Sequence, residues 1–399
     1  MDTEDERAGA KQAETKEEAL RSLPAHGAYT TLVLPAIAYN RNEHYWVGAV
    51  VPVLHANEKD ELKNIYAPFY THNQYAKETV GMYYYGYPSD TAQYSVSGSY
   101  STRLQRDVDL TYKNVSADGG QYILAGRVNW SKNPFRRLFG IGSRTTGHDE
   151  TNYSSREAFV DLTAGIHPND DVAVMFTEHY HDIRVDDGIV DSLPKAKTSF
   201  AVLPGMEGAN IFGHKLTVRY DTRDKQLIST RGTYINASVE LNQNLQHAES
   251  NRWVRTTLDA RHLISHYDDR LVFVARALVD RVSSSRTPFY ERPTLGGETS
   301  LRGFGQSRFI DNAAVLVNFE ERIPVRQQKV FDYLVDLEVA PFLDIGRVMR
   351  ELAPRHLGNF QINPGVGLRL LAKPNVVGRM DIAYGRDGAN LYLGLDYPF

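Results

Sequence analysis

The sequence predicts an all-β chain, a single antiparallel β-barrel that crosses a membrane. Three observations carry this expectation. Strand-like runs recur from Tyr29 onward, separated by Gly, Asn, Asp and Pro. No segment after residue 29 has a long 3.6-residue apolar period, and no run of about 18 apolar residues offers a membrane-spanning helix. The chain also ends on an alternating strand, Leu391 to Phe399, closed by an aromatic residue.

Composition agrees with this reading. The 399 residues are enough for two or three average domains or for one large barrel. Mean hydropathy is -0.43, and a barrel hides from hydropathy because lipid-facing and lumen-facing residues alternate. The 24 Tyr suit interfacial girdles. With no cysteine, disulfides, thiolate metal sites and cysteine nucleophiles are excluded. A net charge of -4 gives no argument for nucleic-acid binding.

Residues 1–28 differ from the rest. Asp5 to Leu23 is rich in Ala, Glu, Lys and Arg, so 1–28 reads as a polar N-terminal segment, helical or disordered. A sharper alternative lodges it as a helix in or beside a lumen. It has no apolar core and is not a signal peptide. Residues 29–399 form the barrel. In its first third, Leu32 to Ala38 and Val47 to Leu54 are broken by Pro35 and Pro52, and Tyr83, Tyr84 and Tyr85 suit a membrane interface.

Alternation is cleanest further on. Ile235, Ala237, Val239 and Leu241 oppose Asn236, Ser238 and Glu240; Val254, Leu258, Ala260 and Ile264 oppose Arg255, Thr257, Asp259 and Arg261. A soluble sheet with one wet face alternates in the same way. The missing helices and the long spacing favour a barrel. About 370 residues over about 16 strands give about 23 per strand and connection, which suits strands of about ten residues.

Four segments carry a family resemblance. They are Tyr220-Asp221-Thr222-Arg223-Asp224 with Ser229-Thr230-Arg231-Gly232; Leu301-Arg302-Gly303-Phe304; Phe319-Glu320-Glu321-Arg322-Ile323-Pro324; and Phe342-Leu343-Asp344-Ile345-Gly346. In this order, from about residue 211 to the end, they closely resemble the barrel domain of the BamA/TamA outer-membrane assembly superfamily, which includes the bacterial surface antigens. The resemblance implies a 16-stranded barrel in a Gram-negative outer membrane, acting in insertion, assembly or export of proteins or lipids through a lateral seam. It makes Leu301, Arg302, Gly303 and Phe304 the loop-six motif, makes Arg322, Phe342 and Gly346 supporting strand residues, and makes Tyr397 and Phe399 a C-terminal signal. Relatives that fold or secrete proteins carry periplasmic POTRA domains, for which residues 1–28 are too few, so the expectation is a POTRA-less branch or a form trimmed to its barrel.

Strand parity supplies partners for Arg302. Ala314, Leu316, Asn318, Glu320 and Arg322 share one face, as do Glu338, Ala340, Phe342, Asp344 and Gly346. Glu320 and Asp344 therefore point inward. A loop from about Ser283 to Asp311, folded into the lumen, would bring Arg302 to both carboxylates, which suit its planar fork. Gly303 is read as the tight turn and Phe304 as packing on the wall.

Expected surroundings are outer-membrane lipid and lipopolysaccharide, client outer-membrane proteins, and a small periplasmic or lipoprotein partner. The competing reading is a passive pore or scaffold barrel. No enzyme, cofactor or metal is expected. No Gly-x-Ser-x-Gly elbow or phosphate-cradling Gly-Lys-Ser loop occurs, and His179 and His181 at i, i+2 read as solvated loop or lumen residues.

Overall fold

The computed structural model describes residues 29–399 except 32, 41–43, 58–61, 90, 118–119, 226–227, 248–250, 268–269, 331–332, 353–357, 373–375 and 396. The expected polar segment 1–28 lies outside the described residues. Among those described, the wall is one antiparallel sheet of 18 strands, each paired with its neighbour in sequence.

β1 (Tyr29–Thr31 and Leu34–Asn40) and β2 (His44–Val50 and Val53–Ala56) are each interrupted once. The break in β2 falls at Pro52, which has no N–H for the ladder, while Val51 donates across to the Pro68 carbonyl at 2.9 Å. Then follow β3 (Leu62–Asn73), β4 (Lys77–Ser89), β5 (Ala92–Ser101), β6 (Arg106–Ala117), β7 (Tyr122–Leu138), β8 (Thr151–Asn169), β9 (Val172–Asp187) and β10 (Ala209–Asp221). The wall continues with β11 (Gly232–Asn244), β12 (Arg252–His266), β13 (Leu271–Val282), β14 (Ala313–Val330), β15 (Tyr333–Met349), β16 (Gln361–Ala372), β17 (Val376–Gly385) and β18 (Gly388–Leu395).

The sequence expectation of 16 strands is corrected to 18. Pro35 and Pro52 disguise the first hairpin, although an edge strand such as β1 tolerates proline. Tight connections, such as Ser89 to Ala92 and Asn169 to Val172, also shorten the repeat.

Alternation places Leu216, Val218 and Tyr220 on the exposed outer face, with Thr217 and Arg219 turned inward. Connections at the end bearing Tyr29 and Phe399 are mostly short. The opposite end carries the long ones, from Leu138 to Thr151, Asp187 to Ala209 and Val282 to Ala313. The last folds into the barrel, where Thr294–Leu295 pairs with Phe309–Ile310 as a small inner hairpin. A cluster including Leu138, Ile183, Met206, Trp253, Phe289 and Ile310 packs this loop beneath the long-loop rim.

Closure is thin. β1 meets β2 along Leu34–Asn40 against His44–Val50, but among the described residues it meets β18 through the single pair Tyr39 and Leu391.

Candidate functional site

Loop 283–312 is shaped before its arginine reaches the wall. Gly296 and Gly297 have φ of +112° and +108°, a conformation that side chains disfavour. The Gly296 N–H donates to Ser300 Oγ at 2.9 Å, and the Gly297 N–H donates to the Phe304 carbonyl at 3.0 Å. Leu301 and Phe304 pack with Leu295, Phe309, Ala314, Leu316 and Val348. This apolar contact leaves the intervening Arg302 directed at the polar wall.

Arg302 is fully buried and held by a fork. Nε donates to Asp344 Oδ2 at 2.9 Å, Nη2 to Asp344 Oδ1 at 2.8 Å, and the backbone N–H to Asp344 Oδ2 at 3.1 Å. Nη1 donates to Glu320 Oε2 at 2.9 Å and lies 3.7 Å from Asp381 Oδ1. The Phe342 ring lies beneath, 3.3 Å from Cζ. Burial opposes the charge on Arg302, but the Asp344 hydrogen bonds and the charges of Asp344, Glu320 and Asp381 outweigh it and raise its pKa.

Glu320 and Asp344 both lie against Arg302, and they belong to a larger lattice. Arg369 Nη2 donates to Glu320 Oε2 at 3.1 Å, and Arg369 Nη1 lies 2.8 Å from Asp381 Oδ1. Arg379 Nη1 donates to Asp381 Oδ2 at 2.9 Å and its Nη2 to Glu298 Oε2 at 2.8 Å. Asn318 Nδ2 donates to Asp344 Oδ1 at 2.8 Å. Arg322 Nε donates to Glu320 Oε1 at 3.4 Å and its Nη1 to the Ser229 carbonyl at 3.3 Å. The turn signature thus touches the same cluster. Within that turn, Asp221 pairs with Arg223 at 2.8 Å, and Asp224 accepts from the Thr230 and Arg231 N–H groups.

The motif reading left out Arg369, Arg379 and Asp381, while Asn318 already shared the inward face with Glu320. Parity turns each of them inward but does not say which of them meet. Arg308 was also missed. It is buried in the same loop, donates from Nε to Asp387 Oδ2 at 2.6 Å and from Nη1 to Thr145 Oγ1 at 2.9 Å, and lies over the Phe139 ring. His181 is a lumen residue that bonds Glu291 of the loop at 2.7 Å, while His179 meets Asp161 at 2.5 Å. No metal-binding group of His, Asp and Glu occurs among the described residues.

Gly303 lies in the expected turn, closed by the Phe304 N–H donating to the Leu301 carbonyl at 3.0 Å, and it has a second job there. Its φ is not left-handed. Instead, a Cβ there would lie 2.6 Å from Asn363 Nδ2 and 2.8 Å from the Gly385 nitrogen. Gly385 is equally constrained, since a Cβ added there would lie 2.5 Å from the Gly303 carbonyl oxygen. Gly346 gives similar room to Leu295 and Leu316. Gly303→Ala should cost about 1–3 kcal/mol through overpacking, read as a lower unfolding temperature on semi-native gels. An unchanged temperature would contradict the close approach.

The chain end also departs from expectation. Parity continues Leu391, Leu393 and Leu395 to Tyr397 and Phe399 on the lipid face, yet the strand assignment ends at Leu395 and the tail turns inward. Tyr397 Oη donates to Glu338 Oε2 at 3.0 Å, and its ring centre lies 3.4 Å from Arg322 Cζ. Phe399 packs against Leu263, Val272 and Val274, with Arg302 and Arg276 at 5.5 and 5.6 Å from its ring. Guanidinium groups attract these rings, and Pro398 cannot donate to a ladder.

The Omp85 superfamily domain matches residues 91–390. BamA from Haemophilus ducreyi lacking POTRA domains 1–3 shares the fold at a TM-score of 0.54 and 14% identity, covering 97% of this chain and 77% of its own. CdiB from Escherichia coli does so at a TM-score of 0.60 and 14% identity, covering 91% and 67%. No curated protein matches the chain. The family match spans most of the sequence and encloses the Arg302 cluster with the strands that build it: the chain belongs to the Omp85 superfamily.

Proposed function

We propose that this protein is an outer-membrane assembly barrel that inserts or exports client outer-membrane proteins or lipids through the β1–β18 seam, without catalytic chemistry. The family and the closed antiparallel fold point to the outer membrane. The observation that carries the seam is its single pair among the described residues, Tyr39 and Leu391, beside longer ladders on either side. Unpaired N–H and C=O groups along a strand edge template an incoming strand. In this reading the loop, pinned at Asp344 and Glu320 by Arg302, keeps β14–β18 rigid so that opening is confined to the edge. Tyr397 and Phe399, latched to the cluster, limit how far β18 swings. A small periplasmic or lipoprotein partner would deliver clients to this edge.

A photo-cross-linking residue in place of Ile37, exposed on β1, tests the proposal. Adducts with newly made outer-membrane proteins, lost when client synthesis stops, are the expected result. A steady ion-selective conductance with no adduct would support the passive pore instead.

A further inference from the structure

Four cations stand in one row across neighbouring strands. Arg106 on β6 pairs in register with Lys132 on β7, Lys132 with Arg156 on β8, and Arg156 with Arg184 on β9. All four are on the outer face, in phase with exposed Val108, Leu110, Val128, Trp130 and Leu162. The row lies toward the long-loop rim, immediately beyond Trp130. Like charges placed opposite one another across strands are destabilising. Among the described residues, Arg106 stacks on the Tyr100 ring at 4.9 Å, and Asp182 and Asp186 flank Arg184 on its own strand. Lys132 and Arg156 have no such flanking carboxylate on their strands.

The same strands carry a groove on the same face. It holds about 440 Å³ and is lined by Tyr112, Leu124, Gly126, Leu162, Ala164 and Phe176, with Glu178 at its side. Glu178 is paired with His214 at 2.8 Å. Gly126, which lacks a side chain, opens the groove six residues from Lys132 along β7, ~20 Å at strand rise. That is within the reach of an extended acyl chain.

We infer that this face is a binding site for a phosphate-bearing membrane lipid in the leaflet at the long-loop end. Phosphates sit across Arg106, Lys132, Arg156 and Arg184, and one acyl chain lies along the wall into the groove at Gly126. Row and groove share β6–β9, and both open toward lipid, which selects a lipid over free phosphate. The aromatic ring of Trp130 lies between them, at the level where headgroup meets chain. The inference rests on the outer-membrane reading above.

The test uses the full chain inserted into phosphatidylcholine vesicles doped with diphosphorylated lipid A, with dephosphorylated lipid A, or with neither. Heat-modifiable migration on gels reports insertion, and native mass spectrometry reports retained lipid. The wild type should retain diphosphorylated lipid A selectively, with no displacement by excess inorganic phosphate. The variant Arg106→Gln/Lys132→Gln/Arg156→Gln/Arg184→Gln should lose affinity by about a hundredfold or more, at about fivefold per cation near an anionic surface. Should that variant fail to fold, Arg156→Gln/Arg184→Gln should still lose about twentyfold. Equal retention by the folded variants, equal retention of dephosphorylated lipid, or displacement by inorganic phosphate would each overturn the site while leaving the barrel reading intact. Failure of the wild type to insert would overturn both.

Discussion

Arg302→Ala is expected to lower the unfolding temperature of the inserted barrel more than any other single change in loop 283–312. The two carboxylates it serves lose unequally. Glu320 keeps Arg369 at 3.1 Å and Arg322 at 3.4 Å. Asp344 keeps the Asn318 amide at 2.8 Å, but no guanidinium other than Arg302 is hydrogen-bonded to it among the described residues. A buried charge left in this state costs about 3–5 kcal/mol. Arg302→Lys should recover little. An ammonium cannot span both Asp344 oxygens and Glu320, nor lie flat on Phe342 as the guanidinium does at 3.3 Å. Asp344→Asn in the Arg302→Ala background removes the stranded charge and should restore part of the loss. Semi-native gels run across temperature measure all three variants. An unaltered transition for Arg302→Ala would mean that the apolar contacts of Leu301 and Phe304 hold the loop without the ion pairs.

The part of this site that was legible in the sequence obeys local rules. The period of two in β14 and β15 placed Glu320 and Asp344 on the inward face before any contact was known, because a strand fixes which side each residue takes. The four motif segments supplied the loop that faces them. What escaped detection depends on tertiary closure. Arg369 and Arg379 belong to strands whose inward polar residues look like any wet lumen, and only the folded barrel brings them against Asp381. Parity misplaced Tyr397 and Phe399, since it continues only while a strand remains in the sheet. Gly303 sits in the turn expected of it, but the close approach that excludes a side chain comes from Asn363 and Gly385, residues far away in sequence. The count of 16 strands assumed uniform spacing, while tight hairpins and a first hairpin disguised by Pro35 and Pro52 bring it to 18.

Locking the seam should abolish client insertion while leaving the barrel folded. Tyr39→Cys/Leu391→Cys places a disulfide across the one pair that joins β1 to β18 among the described residues. Cα atoms of antiparallel partners lie about 4.5–5.5 Å apart, within the range that a disulfide accepts. The chain has no cysteine of its own, so no other thiol competes. When oxidised, the variant should migrate as a heat-resistant barrel and lose insertion of a model outer-membrane client by tenfold or more, with recovery on reduction. Ile382→Cys/Leu391→Cys serves as the control, because it cross-links β17 to β18 and leaves the seam free. It should insert clients at the wild-type rate in both redox states. The comparison isolates the seam, since both variants carry a cross-link at the same residue of β18 and differ only in which edge is closed. If the oxidised seam variant inserted clients normally, the unpaired edge of β1 would have no part in templating, and the client path would have to run through the lumen past the pinned loop.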